Sequence, residues 1–185
     1  MASLPKTGLV SYEEWLGMPV VQDGREEVVN GEIQIMPPNK SPHPKVMRAL
    51  QAIFLRQLDL TSAEFFASTF GLVIRREPLT CRSPDIAVFE RSTMVEEDGY
   101  YHSAPQLAIE VLSPSETRKE IAAKLRDYER IGTPEVWLVS PEAATVEILY
   151  LEEGKLRRSA ILAEGFLKPK HFPAVQIDIA QIWPD

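Results

Sequence analysis

Apolar residues follow two spacings along the chain, and together these spacings predict a mixed α/β protein. From Pro44 to Leu58 they recur every three or four positions, which predicts a helix that begins at Pro44. Short apolar runs bounded by turn-forming residues predict buried strands. The predicted strands cover residues 64–69, 72–75, 85–89, 106–112 and 136–139, and a short strand or turn is predicted over 177–183.

Pairs of turn-forming residues predict two hairpins. Asn30-Gly31 is the favoured pair for a two-residue turn and has apolar residues on both sides, so residues 26–36 are predicted to form the first hairpin. Glu153-Gly154 predicts a second hairpin, which joins strands at 145–150 and 156–161.

Capping residues predict two more helices. Ser11 and Glu14 have the spacing of a capping box and predict a short helix. The segment Ser113-Pro114-Ser115-Glu116 places capping serines before an acid, and Gly132 is a typical C-terminal stop, so a helix is predicted from this segment to about residue 131. The polar segment 92–105 is predicted to be a loop.

These elements predict an α/β (α+β) fold in which helices pack on a mostly antiparallel sheet. The length of 185 residues predicts a single domain over 1–185, with a flexible tail at 1–10. No apolar stretch approaches the ~20 residues of a membrane helix, and the N-terminus lacks the apolar core of a signal peptide. Cys81 is the single cysteine, so a cytoplasmic protein without disulfides or membrane contact is predicted.

The overall charge counts against one class of partner. A net charge of −7 and a pI of about 5.1 argue against broad, non-specific binding to nucleic acid, which usually leaves a basic surface. A local basic groove remains compatible with this total, and an acidic metal site would itself add negative charge.

Two carboxylates stand in strands that are otherwise apolar. Asp85 opens one apolar run, and Glu110 interrupts another. A buried carboxylate without a partner is costly, so each needs a cation or several hydrogen-bond donors. If the two strands are neighbours, the acids meet at one sheet edge, where ~4 Å of separation would cost about 4 kcal/mol of repulsion at an effective dielectric of 20. A bound divalent cation would turn that repulsion into attraction.

A lysine on the following helix extends this pattern. Ile121, Leu125 and Tyr128 have the spacing of one apolar helix face, and Lys124 shares that face, so its side chain is predicted to point at the sheet. Asp85 and Glu110 are its obvious partners. Two acids that hold Mg²⁺, or Mn²⁺ as a substitute, beside a lysine are a minimal set for phosphodiester hydrolysis.

The ordered motifs resemble a known nuclease family. Pro84-Asp85 followed by Ile109-Glu110-Val111 is similar to the PD-(D/E)xK nuclease signature. Over about residues 11 to 183, the chain more closely resembles the Uma-type family of "putative restriction endonucleases". The matching stretches are Glu27-Val28-Val29-Asn30-Gly31-Glu32, Ser83-Pro84-Asp85, Glu110-Val111-Leu112-Ser113-Pro114-Ser115, Lys124 with Tyr128, and Gly132 followed by Glu135-Val136-Trp137-Leu138-Val139. The resemblance implies a restriction-endonuclease-like mixed sheet flanked by helices, a divalent cation and DNA cleavage.

The chain departs from the superfamily pattern at one position. Leu112 stands where the superfamily has its lysine, and the resemblance implies that Lys124 replaces it from the helix. The resemblance also implies roles for an acid in the first hairpin, Glu27, and for a histidine before the first long helix, His43. From the residues alone, Glu27 faces either the site or solvent, and His43 is interpreted as a surface residue.

The remaining candidates have ordinary structural explanations beside their functional ones. Tyr128 is predicted to pack in the core with its hydroxyl turned to the site, and Cys81 to be an inert thiol. The basic residues either meet phosphates or simply solvate the surface; they are Arg75, Arg76, Arg82, Arg118, Lys119, Arg126 and Arg130.

Three functions therefore stay open. The leading hypothesis is a Mg²⁺-dependent endonuclease that hydrolyses DNA, with Asp85 and Glu110 as metal ligands, Lys124 as a catalytic group and Glu27 assisting. The second is a non-catalytic nuclease-fold module for nucleic-acid binding or dimer assembly, which the negative charge favours. The third, a two-carboxylate hydrolase of sugars, needs neither metal nor lysine, and the inward placement of Lys124 argues against it. A homodimer is predicted by analogy with enzymes that cut duplexes, and no organic cofactor is expected.

Overall fold

The computed structural model describes residues 8–19, 25–36, 38, 40–68 and 70–183. Within these ranges the chain has an α/β fold of two mixed six-stranded sheets, one two-stranded sheet and few helices. The helices are α1 (Tyr12–Leu16), α2 (His43–Gln57) and α3 (Arg118–Ile131), and a 3-10 turn covers Ile179–Gln181. None of the helices described is long and apolar enough to cross a membrane.

The strands are named in chain order. They are β1 (Arg25–Val29), β2 (Glu32–Met36), β3 (Ala63–Ala67), β4 (Leu72–Arg75), β5 (Thr80–Arg82), β6 (Ile86–Glu90), β7 (Glu96–Glu97), β8 (Tyr100–Tyr101), β9 (Leu107–Val111), β10 (Glu135–Ser140), β11 (Thr145–Glu152), β12 (Lys155–Leu162), β13 (Phe166–Leu167) and β14 (Ile177–Asp178). The first sheet has the order β2-β1-β5-β4-β8-β7, the second β12-β11-β10-β9-β6-β3, and β13 pairs with β14.

Strand β9 lies near the centre of the second sheet and brings the two acids together. It pairs in parallel with β10 and antiparallel with β6, where Ile86 stands opposite Ile109. This register places Asp85, just before β6, across from Glu110. The condition stated for the two acids to meet, that their strands are neighbours, is therefore fulfilled.

The second sheet is covered on both faces, because alternate side chains of its strands point in opposite directions. One face packs against α2 through β6 and β9 residues such as Ile86 and Ile109. The other face packs against α3 and β4 through Ala87, Ala108 and Tyr128. Glu110 shares the parity of Ala108, so its carboxylate is directed towards α3.

Most sequence predictions of single elements are confirmed. The first hairpin turns at Asn30 and Gly31, both with positive φ, as a primed turn requires. Ser11 and Glu14 form the capping box of α1. Gly132 ends α3 in the left-handed conformation, with φ of 89°.

Other predictions need correction. Helix α3 begins at Arg118 rather than near Ser113, because Thr117 and Glu120 form a complete capping box at that point. The 113–116 segment forms a turn instead, in which the backbone N–H of Ser113 donates to the Glu116 carboxylate. The predicted loop 92–105 contains the small strands β7 and β8, and β5 has no counterpart among the predictions.

The predicted tail overlaps residues that the structure does not describe. Residues 1–7 and Thr69, the last residue of one predicted strand, lie outside the described ranges. At the end of the predicted tail, Val10 is buried, and its backbone N–H donates to the carbonyl of Gly31 at 2.8 Å.

Candidate active site

A cleft of about 750 Å³ lies between the segment that leads into α2 and the turn that precedes α3. Asp85 and Lys124 both reach its wall. Glu110 does not line the cleft; its side chain is buried directly behind Lys124. The wall is completed by proline, serine, apolar and charged residues and one histidine, namely Arg25, Met36, Pro38, Lys40, Ser41, Pro42, His43, Val111, Leu112, Ser113, Pro114, Ser115, Glu116, Pro141 and Glu142.

Asp85 is buried, and both of its carboxylate oxygens have partners. Arg25 Nη1 donates to Oδ1 at 2.6 Å. At Oδ2, the backbone N–H of Val111 donates at 2.8 Å, and His43 Nε2 lies at 3.1 Å. Burial alone would raise the pKa of Asp85, but the His43 hydrogen bond and the Arg25 charge lower it to about 2. Asp85 is therefore a fixed anion near neutral pH.

His43 does not lie on the surface as the sequence interpretation had it. It is the first residue of α2 and is buried, with 7% of its surface exposed. Its contact with Asp85 turns the ring into the site, which no local sequence pattern indicates. The histidine position that the family resemblance implied is therefore part of the Asp85 environment.

Glu110 is held by two side chains from α3. Lys124 Nζ donates to Oε2 at 2.8 Å, and the Tyr128 hydroxyl donates to Oε1 in a short hydrogen bond. The pKa of Glu110 is raised by burial and by the Asp85 charge, although Lys124 and Arg25 both lower it. Positive charge supplied by the protein thus does not fully offset the burial of this carboxylate.

Lys124 is buried between two carboxylates. Besides Glu110 it donates to Glu116 Oε1 at 2.9 Å. Burial would lower the pKa of Lys124, but the charges of Glu110 and Glu116 raise it above the ordinary lysine value. Lys124 is therefore an ammonium group at neutral pH, which donates hydrogen bonds and positive charge and does not accept a proton.

Glu27 faces inward and binds different partners. Its carboxylate accepts from Arg82 Nη1 at 2.8 Å and from the backbone N–H of Ser83 at 3.1 Å. Arg82 also donates to Asp127 through Nε, at 2.9 Å. Among the described residues that line the cleft, neither Glu27 nor Arg82 occurs. The option that Arg82 meets phosphates is wrong, because Arg82 is buried and bound to two carboxylates.

The other predicted basic residues do not converge on the cleft. Arg75 and Arg76 bind Asn30 and Glu97, respectively, and Arg130 lies 3.3 Å from Asp127. Arg118, Lys119 and Arg126 are exposed on α3. Cys81 is buried, and burial raises the pKa of its thiol, in keeping with an inert residue.

Two residues of the site were missed from the sequence, Arg25 and Glu116. Arg25 lies 60 positions from Asp85, and only the pairing of β1 with the rest of the first sheet brings it there. Glu116 lies before the start of α3, so helical periodicity does not predict its contact with Lys124, eight positions later. Neither contact has a local signal.

The donor chemistry of the site fits a hard divalent cation. Asp85 and Glu110 supply carboxylate oxygens, which Mg²⁺ prefers, and the Arg25 guanidinium bound to Asp85 is a cation already accommodated there. Burial raises the pKa of Glu110 even with Lys124 beside it, and a cation bound to this carboxylate would lower that pKa. Among the described residues, no group of three His, Cys, Asp or Glu side chains is arranged to hold a metal.

Comparisons with known proteins identify the family of the chain. The model of the Uma2 family, described as "Putative restriction endonuclease", matches residues 11–180. The chain belongs to the Uma2 family. The match spans Asp85, Glu110 and Lys124.

A solved structure shows the same fold. The Uma2 chain is similar to a crystal structure from Anabaena variabilis described as "a putative nuclease belonging to DUF820", with a TM-score of 0.76 and 19% sequence identity. The similarity covers 94% of this chain and 97% of the other, so the predicted restriction-endonuclease-like fold is confirmed over nearly its whole length. No curated protein matches the chain.

Proposed function

We propose that this Uma2 protein is a metal-dependent endonuclease that hydrolyses phosphodiester bonds of DNA. The observation that carries the proposal is the convergence of Asp85, Glu110 and the ammonium of Lys124 beside one cleft. Membership of the Uma2 family supports the same reaction class. In this proposal Asp85 and Glu110 hold Mg²⁺ or Mn²⁺, and Lys124 acts on the substrate.

The residues have distinct tasks in hydrolysis. Mg²⁺ bound to the two carboxylates would polarise a phosphoryl oxygen and make a water more acidic. Lys124, which is charged and reaches the cleft wall, donates to an oxygen on which negative charge grows during attack. His43 and the N–H of Val111 keep Asp85 oriented, and the Tyr128 hydroxyl orients Glu110.

Glu27 takes a supporting role in this proposal. It is bound to Arg82 and lies behind the cleft, so it assists through its charge, which helps to raise the pKa of Lys124 and Glu110. This is a weaker role than that of a metal ligand, and it makes Glu27 the least sensitive of the four candidate residues.

Plasmid nicking with and without Mg²⁺ or Mn²⁺ tests the proposal. Asp85→Asn and Lys124→Met should each lose cleavage, whereas Asp59→Asn and Lys155→Met, which change the same residue types at exposed positions, should retain it. Cleavage that survives both substitutions in the site would contradict the mechanism. Cleavage that is equal with and without metal would contradict the metal dependence.

A non-catalytic module is the second candidate, and one observation favours it. Asp85 and Glu110 each already bind a cationic side chain, so the cluster can be stable without a metal. Calorimetric titration separates the two functions. An active site should bind Mn²⁺ in the wild type and lose that binding in Glu110→Ala, whereas a structural cluster should bind Mn²⁺ in neither.

The assembly and cellular location belong to the same proposal. We expect a homodimer, because enzymes that cut both strands of a duplex commonly pair two active sites, and we expect the protein in the cytoplasm. Sedimentation velocity measures the first, and a monomer that still cuts both strands would remove the reason for expecting it.

A further inference from the structure

Arg25 lies beside Asp85, at the oxygen for which a bound metal ion would compete. It is the first residue of β1, and its Nη1 lies 2.6 Å from Asp85 Oδ1. Its side chain is 18% exposed and lines the cleft, whereas that of Asp85 is 2% exposed. The charges of Asp85, Glu110 and Glu27 all act on the guanidinium, and Asp85 is the carboxylate that it contacts.

Asp85 does not depend on Arg25 for its orientation. The contacts with His43 and with the backbone N–H of Val111 are made by Oδ2, while Arg25 binds Oδ1. Loss of the arginine contact therefore leaves the carboxylate aimed in the same direction. It also leaves Oδ1 available to another cation.

Arg82 provides the contrast. Its guanidinium is 5% exposed and is bound to two carboxylates at once, Glu27 and Asp127, so it lacks an exposed position into which it could move. Within the described part of the chain, Arg25 binds one carboxylate, that of Asp85, and lines an open cleft. Arg25 can therefore move away from its carboxylate partner, whereas Arg82 is held in place by its two partners.

We propose that Arg25 is an exchangeable counter-cation: it neutralises Asp85 and Glu110 in the metal-free protein, a divalent cation displaces it, and the freed guanidinium then binds substrate phosphate in the cleft. The inference rests on the proposed metal-dependent nuclease function and assigns a residue that the family motifs do not include.

Electrostatics makes the two cations exclusive. A divalent ion bound to Asp85 Oδ1 would stand close to the guanidinium, and like charges a few ångströms apart in a partly buried site repel by several kcal/mol. Arg25 must then turn towards its exposed side. A phosphate in the cleft is a suitable new partner, because arginine binds phosphate through two parallel hydrogen bonds.

Calorimetric Mn²⁺ titration at constant ionic strength tests the exchange. Arg25→Met should bind Mn²⁺ about tenfold more tightly than the wild type, because the competing charge is gone. Arg25→Lys retains the charge and should stay within about threefold of the wild type. Arg56→Met, an exposed arginine near the end of α2, is the control for a change of one unit in net charge.

The outcomes separate the inference from the function on which it rests. Unchanged or weaker Mn²⁺ binding in Arg25→Met, relative to Arg56→Met, overturns the exchange. The proposed metal site still stands in that case if Mn²⁺ binding depends on Asp85. Absence of Mn²⁺ binding in every variant overturns both. Should Arg25→Met unfold without metal, recovery of its melting temperature by Mn²⁺ supports the exchange, and failure to recover opposes it.

A second arm tests the phosphate role without cleavage. Binding of a short duplex oligonucleotide is measured by fluorescence anisotropy in Ca²⁺, with the uncut length verified on a gel. Arg25→Met should bind about tenfold more weakly than Arg56→Met, because one charged contact with phosphate is lost. Equal affinity would overturn the phosphate role.

Discussion

Two buried ion networks lie side by side in this protein, and they differ in their access to solvent. The cleft cluster consists of Asp85, Glu110 and Lys124, two of which reach the cleft wall. The buried triad consists of Glu27, Arg82 and Asp127. Each network contains two acidic residues and one positively charged residue.

The difference shows that burial of charge alone does not identify an active site. In the buried triad, Arg82 binds both acids directly and closes the network. In the cleft cluster, the acids have separate cations, and burial still raises the pKa of Glu110. A network that faces a cleft, and in which burial still raises the pKa of a carboxylate, is suited to bind a metal cation. A buried network in which one arginine binds both acids stabilises the fold instead.

The largest expected effect is on stability in the buried triad. Arg82→Met leaves Glu27 and Asp127 as buried acids without their shared cation, so the free energy of unfolding should fall by about 3–5 kcal/mol. Urea denaturation measures it, with Arg56→Met as the control. A loss below about 1 kcal/mol would mean that the triad does not hold the first sheet to α3.

The next effect is on cleavage in the cleft cluster. Lys124→Met removes the ammonium that donates to the substrate and should reduce the cleavage rate by about 10²–10³-fold, as for loss of one preorganised donor. Single-turnover cleavage measures this rate, with Lys155→Met as the exposed control. A larger loss of cleavage in Glu27→Gln than in Lys124→Met would reverse the roles of the two networks.

A smaller effect concerns pH and has opposite signs for the two acids. The folded pKa of Asp85, about 2, lies below its ordinary value of 3.8, so its ionisation contributes about 2 kcal/mol above pH ~4 that is lost as pH falls towards 2. The pKa of Glu110 is raised, so its ionisation reduces stability as pH rises above its ordinary value of 4.5.

Unfolding free energies of Asp85→Asn and Glu110→Gln, each compared with the wild type from pH 3 to 7, check these signs. The deficit of Asp85→Asn should grow with pH in the acidic part of this range, whereas the difference between Glu110→Gln and the wild type should shift in favour of the variant as pH rises. Parallel slopes would contradict the distinction between the acids.

The smallest effect is expected at Glu116. Its side chain is 18% exposed, and Lys124 keeps its contact with Glu110 when Glu116 becomes glutamine. Glu116→Gln should therefore slow cleavage by less than about fivefold, the effect of a partly exposed ion pair. A loss as large as that of Lys124→Met would make Glu116 a direct participant in the reaction.

The sequence predicted the site wherever one element determined it. The inward direction of the Lys124 side chain could be predicted because Ile121, Leu125 and Tyr128 mark the inward face of α3. The two acids could be identified because they interrupt apolar strands. Contacts between elements that are distant in the chain could not be predicted from the sequence. Arg25 and His43 reach Asp85 through sheet pairing and the start of α2, which no local pattern encodes.

Two errors in the fold have the same kind of cause. Strand β5 was missed because Thr80-Cys81-Arg82 is short and polar, and it is buried only since Arg82 is paired with Glu27 and Asp127. The start of α3 was misplaced because two capping signals compete within five residues, and Thr117 with Glu120 forms the complete box.

The central claim is that the cleft cluster, and not the buried triad, holds the divalent cation. Anomalous diffraction from a Mn²⁺-soaked crystal tests it most directly. We expect one anomalous peak at about 2.0–2.3 Å from carboxylate oxygens of Asp85 and Glu110, with Arg25 turned away from Asp85. A peak beside Glu27 and Asp127, or no peak between Asp85 and Glu110 at saturating Mn²⁺, would contradict it.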